Sequence, residues 1–386
     1  MVEPIASSDI AFQSKGFLRP RWIRGTRTFL MAVLIPVFIL ASCVPKGTPA
    51  PLLATPSPSI VPPTSLPTET AIPTPASTPT PKSRAVTKDG YTELHGSVGP
   101  IYSLSWAPNA NLIASAGFGQ VNVWDADAKE RVATLEGHTS FVWGVSFSPD
   151  GKWIGSASVD GKVKVWQVSD FSEHANLGNA GAFCLAWSPD SKQIAVGSTS
   201  GRVNIWDIES QEKLQTFDAG YHTVSVAWSP DGVFLAAGRL DGSIVVWDFE
   251  SGEQIIKISG YSKKRNDANG LAFSPDGKLL ASANQDGYTY LWDVGTWEMH
   301  ANTRQADSWL RGLAWSPDGG LLVSTGEGAH IYLWNMETGE SSIFVSIYQL
   351  PKWSLAWSPH GDQIAVGSGT YDNKRKGGIL YLIDVP

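Results

Sequence analysis

Histidine, cysteine and carboxylate side chains are where chemistry would begin in this chain, so their spacing is the first thing to read. The seven histidines, His95, His138, His174, His222, His300, His330 and His360, are scattered without metal-ligand spacing. Two cysteines, Cys43 and Cys184, supply neither a disulfide framework nor a Cys-x-x-Cys pair. No Gly-x-Ser-x-Gly elbow, His-Glu-x-x-His pair or phosphate-cradling Gly-x-x-x-x-Gly-Lys-[Ser/Thr] loop is present. Cys184 lies in the apolar stretch FCLAW, which reads as a small buried hydrophobe and not a nucleophile. Many Asp residues occupy turns, as in the Pro-Asp-Gly and Asp-Gly pairs, where a carboxylate organises the turn. The sequence thus offers no catalytic set, no metal site and no cofactor motif, and the reading is of a non-enzyme.

The elements that hold these residues repeat. Trp (17 residues) and Gly (38) are plentiful in a chain of 386 with 42% apolar residues, a mixture that favours many short strands and turns. An aromatic followed by a proline turn recurs seven times, as WAPN at Trp106, FSPDG at Phe147 and Phe273, WSPDS at Trp187, WSPDG at Trp228 and Trp315, and WSPHG at Trp357. The prolines Pro108, Pro149, Pro189, Pro230, Pro275, Pro317 and Pro359 stand 40 to 45 residues apart. A second marker ends each period: Trp124-Asp125, Trp166-Gln167, Trp206-Asp207, Trp247-Asp248, Trp292-Asp293, Trp334-Asn335 and the degenerate Ile383-Asp384. In FSPDGKWIGSASVDGKVKVW, starting at Phe147, proline sets one φ, glycine accepts a positive one, and the alternating Lys and Val of KVKVW mark a half-buried strand. Four such strands cannot bury both faces of their own sheet, so neighbours must stack, and radial stacking closes a ring with only short edges.

The stretch EGHTSFVWGVSFSPDGKWIGSASVDGKVKVWQ, Glu136 to Gln167, resembles a repeat of the WD-repeat β-propellers. The resemblance spans about residues 86–386 and implies an all-β fold, a seven-bladed β-propeller of four-stranded antiparallel sheets. It also implies a structural hydrogen-bond chain through His138, Ser156, Asp160 and Trp166, which the other periods keep only in fragments. The repeating WSPDG also resembles the periplasmic Tol-system propellers, but the Trp-Asp endings favour the WD-repeat reading. The last strand, GGILYLID, is followed at once by the chain end, so that blade lacks its outer strand. KDGYTELHG, Lys88 to Gly96, has no blade of its own and is expected to pair beside Ile379 to Ile383, closing the last blade with an N-terminal strand.

Residues 1–42 read as a signal segment: five basic residues up to Arg27, then an apolar run from Phe29 to Ala41 that is shorter than a membrane-spanning helix. Its end, LASC, resembles the lipobox of bacterial lipoproteins, which implies lipid attachment at Cys43 and a head carried outside the cell on a membrane of a bacterial envelope. Residues 43–85 are dominated by Pro and Thr and read as an extended stalk.

The net charge of −7 argues against a nucleic-acid partner. A binding face is the better expectation. The resemblance implies that the residue four before each Ser-Pro aromatic stands at the channel rim, which makes an aromatic arc of Tyr102, Trp143, Phe183 and Trp353, with Arg311 alongside. The loops YSKKRND and TYDNKRKGG add Lys264, Arg265, Lys374 and Arg375, a basic sector on an acidic head. The leading expectation is a monomeric head that binds a protein or peptide partner on this aromatic and basic face. The alternative is a propeller enzyme or a carbohydrate-binding module using the central channel.

Overall fold

The structure, a computed structural model, describes residues 84–88, 90–178, 181–259, 267–369 and 377–385, and they contain strands and turns with no helix. The strands form six hydrogen-bonded sheets, all with antiparallel neighbours: four sheets of four strands, one of five and one of seven. The seven-stranded sheet contains two repeats, because one long strand, Glu130–Phe147, pairs first with Phe118–Asp125 and then with Trp153–Ser158. It is the outer strand of one repeat and the inner strand of the next. The inner strands Ser103–Trp106, the end of Glu130–Phe147, Ala182–Trp187, Thr223–Trp228, Ala268–Phe273, Leu310–Trp315 and Lys352–Trp357 each contact the next, and the last contacts the first. The ring is closed.

The Ser-Pro turns share one plan, except that in the last Ser358 donates to Asp362, because His360 stands where the others have Asp. In the second repeat Ser148 donates to the Asp150 carboxylate at 2.6 Å, Gly151 N donates to Ser148 O at 2.9 Å, and Trp153 N donates back to the Ser148 hydroxyl at 3.0 Å. Gly151 holds φ +72°, the left-handed region that a Cβ disfavours. The serines at the equivalent turns hold the carboxyls of Asp231, Asp276 and Asp318 below the usual carboxylate range. Turn geometry accounts for these acids.

Between repeats the ties are apolar and polar at once. Second-strand residues such as Ala195, Ala236 and Ala365 are small and fully buried, which lets neighbouring sheets approach. Trp187, Trp315 and Trp357 each donate an indole N–H to a backbone carbonyl of the preceding repeat, Ser146, Ala272 and Ala314, at 3.0 to 3.2 Å.

The N-terminal strand closes the last repeat. Tyr91–His95 lies antiparallel to Ile379–Asp384 in the register Thr92 to Leu382, Glu93 to Tyr381, Leu94 to Leu380 and His95 to Ile379. A further strand that the sequence reading did not anticipate, Arg84–Lys88, pairs antiparallel on its outer side. Leu94 is buried beside Leu380 and Leu382, while Glu93, also buried, accepts from Lys88 at 2.5 Å, His95 at 3.1 Å and Gln349 at 3.1 Å. The expected signal segment (1–42), lipidated Cys43 and most of the expected stalk (43–85) lie outside the described residues.

If this strand is the clasp of the ring, Leu94→Ala should cost about 2–5 kcal/mol in urea unfolding. Thr87→Ala on the added outer strand should cost less than about 0.5 kcal/mol. Equal costs would mean that closure does not depend on Leu94.

Candidate functional site: one face of the ring

Strand direction alternates within each repeat, so the connections from second to third strand and from outer to next inner strand emerge on one face. The Ser-Pro turns and the Trp-Asp turns emerge on the other. Among the described residues, every exposed large aromatic is on the first face: Phe118, Phe141, Tyr221, Trp309 and Tyr348, the last 78% exposed. The remaining exposed apolar side chains are aliphatic, and most are spread over outer strands. Sequence reasoning missed these five aromatics because it looked only at the channel rim.

At the centre of this face the channel opens into a cavity of about 310 Å³. All seven residues expected at the rim line it, namely Tyr102, Trp143, Phe183, Val224, Asn269, Arg311 and Trp353. The four aromatics do meet as an arc: Trp353 to Tyr102 at 5.8 Å between ring centroids, Tyr102 to Trp143 at 4.4 Å, and Trp143 stacked on Phe183 at 4.9 Å. Phe141 and Phe118 extend it outward, since Phe141 lies 5.8 Å from Tyr102 and 5.1 Å from Phe118. His222 extends it around the channel, 5.2 Å from Phe183, and burial pushes its imidazole pKa down.

The expectation that the whole arc is an exposed rim needs correction. Tyr102 and Trp353 are only 6% and 7% exposed, because each packs against its neighbours and the Trp353 indole donates to Gly369 O at 2.8 Å. They support the face from beneath, and half-buried Trp143 and Phe183 present the accessible ring surface. Of the expected basic sector, Arg311 lies among the described residues. The Arg311 guanidinium is paired with Glu327 at 2.7 Å and lies 4.2 Å from the Trp353 ring and 5.1 Å from the Trp309 ring, so its charge is already met. Lys264, Arg265, Lys374 and Arg375 lie outside the described residues.

The implied hydrogen-bond chain is present in one repeat. The Trp166 indole donates to Ser156 Oγ at 3.0 Å, Ser156 Oγ is 2.9 Å from His138 Nε2, and His138 Nδ1 is 2.9 Å from Asp160 Oδ2. Burial pushes the His138 imidazole down against the pull of Asp160. A neutral ring then carries its proton on Nδ1, toward the carboxylate, and accepts the serine hydroxyl at Nε2. Asp160 also accepts from Thr139 N at 2.9 Å and Lys162 N at 3.0 Å, which ties the face's two kinds of connection together. His, Ser and Asp here serve packing: the serine oxygen is already engaged by an indole and buried away from the channel cavity. Elsewhere among the described residues the Trp–Ser link recurs as a fragment, Trp124 to Ser115 at 2.8 Å and Trp292 to Ser282 at 3.4 Å.

Cys184 lines the channel, but burial pushes its thiol up to about 12, which keeps it protonated and unreactive at neutral pH. Among the described residues no three His, Cys, Asp or Glu side chains gather as a metal site.

These features define a WD-repeat propeller with an aromatic contact face. The sequence matches the family model described as WD domain, G-beta repeat, over residues 90–125, 129–167, 211–248, 252–293 and 295–335, just over half of the chain, and the chain belongs to that family. Residues 164–226 match a second model, the anaphase-promoting complex subunit 4 WD40 domain. The chain is similar to Protein hir1 of Schizosaccharomyces pombe, 39% identical over 83 residues, which is 21% of this chain and 9% of that protein. It is also similar to the target of rapamycin complex subunit wat1 of the same organism, 38% identical over 64 residues, 16% of this chain and 20% of that protein. Meiotic recombination protein rec14, again of that organism, is 33% identical over 88 residues, 22% of this chain and 29% of that protein. The matches therefore span less than a third of each of these relatives.

The relatives also correct the expected location. They are proteins of fungi, with further HIR1 proteins from Mycosarcoma maydis and Cryptococcus neoformans, which places the chain's kin among eukaryotic proteins and not in a bacterial envelope. The family matches begin at residue 90 and lend no support to a lipoprotein-type signal or to lipid attachment at Cys43.

The folded state holds His138 below its ordinary pKa near 6.5. Its stabilising contribution is therefore complete above that pH and is lost as pH falls toward the folded value. The wild type should lose stability as pH falls below about 6.5. His138→Gln should be less stable at pH 8 by about 1–3 kcal/mol and show a flatter slope in that window. Denaturant melts of both proteins at several pH values check this, and identical slopes would place the titration elsewhere.

Proposed function

We propose that the chain is a non-catalytic scaffold that binds a protein or peptide partner on the face bearing the channel mouth. The observation that carries this reading is the confinement of the exposed aromatics Phe118, Phe141, Tyr221, Trp309 and Tyr348 to that face. Large rings combine a broad apolar area with few rotatable bonds, and clusters of them, with arginine, dominate the energetics of protein interfaces. The underlying ring is stiff, so the partner meets a preformed surface and little ordering opposes binding. Arg311, clamped by Glu327 between two tryptophans, is one fixed element of that surface, with Trp143 and Phe183 as the accessible floor. Kinship points the same way, since one relative is named as a complex subunit. In the proposed mode Lys264, Arg265, Lys374 and Arg375 would favour an acidic partner segment.

The test is capture from an extract of the protein's own cells. The paired substitution Phe141→Ser with Trp309→Ser should lower recovery of a specific partner at least tenfold, which corresponds to about 1.4 kcal/mol, while the melting temperature stays within a few degrees. Leu214→Ser on an outer strand should leave capture unchanged. Equal recovery with both variants would reject the aromatic face as the contact surface.

A further inference from the structure

One position in the ring breaks its own repeat. The residue five before each turn-opening aromatic starts the inner strand on the contact-face side. In the first six repeats it is Ile101, Val142, Ala182, Thr223, Ala268 and Leu310, each uncharged and with 0% exposure. In the seventh it is Lys352, 1% exposed. A lysine is rarely buried to this degree without a counter-charge, because the ammonium loses its water. Among the described residues no carboxylate pairs with it, and burial pushes its pKa down to about 8. A methionine or leucine would fill the same space without that cost. What neither can do is donate a hydrogen bond, and Lys352 Nζ donates to Ile347 O.

Ile347 precedes Tyr348, the most exposed ring of the contact face. With so much of its surface in water, Tyr348 gains little from packing, and its contact with His330 is edge-on at 5.9 Å between ring centroids. Its place is therefore set by the backbone on either side. Before it, buried Ile347 donates its N–H to Ala329 O at 2.7 Å, and its carbonyl takes the lysine. After it, Gln349 Nε2 donates at 3.1 Å to Glu93 Oε1, the buried carboxylate of the closing strand, and Pro351 O accepts from Gly369 N at 3.2 Å. Residues 347–351 are thus tied both to the inner strand of the last repeat and to the strand that shuts the ring. A ring held out in solvent binds with less ordering cost if its backbone is already fixed.

We propose that Lys352 and Gln349 are positioning residues of the contact face: acting through the backbone of residues 347–351, they hold Tyr348 ready for a partner and link it to the closing strand. The proposal deepens the partner-binding reading of this face and rests on it.

Backbone nitrogen-15 relaxation on deuterated full-length protein provides the test. The wild-type Tyr348 amide should have an order parameter of about 0.85, that of rigid backbone, and in Lys352→Met and Gln349→Ala it should fall below about 0.6. The amides of Gln363–Ser368, which pairs with the inner strand of the same sheet, should keep their wild-type values. A partner captured by the wild type should be recovered at least tenfold less by either variant. Should Lys352→Met fail to fold, Gln349→Ala decides alone. Unchanged Tyr348 order in a folded variant overturns the proposal, and so does an equal loss of order in Gln363–Ser368, which would make these residues general stabilisers. Undiminished recovery by a variant with a loosened Tyr348 overturns it as well. Failure of the contact face itself shows separately, in the capture by the Phe141→Ser and Trp309→Ser pair, which leaves both positioning residues in place.

Discussion

One pairing underlies the rest of this molecule: the backbone ladder between Tyr91–His95 and Ile379–Asp384. A four-stranded sheet with apolar faces must be covered on both sides, and in a ring each sheet covers its neighbours. That arrangement has no end only if the last sheet meets the first. The strand that completes the last sheet comes from the other end of the described chain, so closure is a long-range event that couples the two ends of the ring. The buried Leu94 and the three-way grip on Glu93 make this pairing more than a backbone ladder.

A closed ring separates its two faces by construction. On one, short turns are saturated by their own serines and aspartates, and they recur with little variation. On the other, the connections differ in length and composition from repeat to repeat, and the exposed aromatic side chains gather there. The repeating part supplies rigidity and the varying part supplies recognition. The hydrogen-bond chain of His138, Ser156, Asp160 and Trp166 belongs to the first role, although its residue types are those of a nucleophilic triad. Its burial beneath the face and its engaged serine oxygen separate it from catalysis.

Membership of the WD-repeat family and kinship with fungal proteins reshape the functional reading more than the fold. The apolar run ending in Leu-Ala-Ser-Cys suggested an envelope protein, yet a short apolar segment before a cysteine is a weak signal, set by four residues. The repeat is a strong one because seven periods agree. Weak local motifs and strong periodic ones therefore deserve different weight when they point to different settings.

The sequence alone determined the strands and turns of the repeats, the ring and its closing strand, though not the outermost strand Arg84–Lys88, because alternation, Pro-Gly turn chemistry and a period of 40 to 45 residues are local properties that survive without knowledge of contacts. It also placed Tyr102, Trp143, Phe183, Asn269, Arg311 and Trp353 around one opening, since a fixed offset within a repeat maps to a fixed place in the ring. Only the tertiary structure decided which of those side chains reach solvent. Exposure depends on what the adjacent repeat sets against a ring: Tyr102 and Trp353 are covered by neighbours tens to hundreds of residues away, and Arg311 is neutralised by a glutamate of its own repeat that no spacing rule marks.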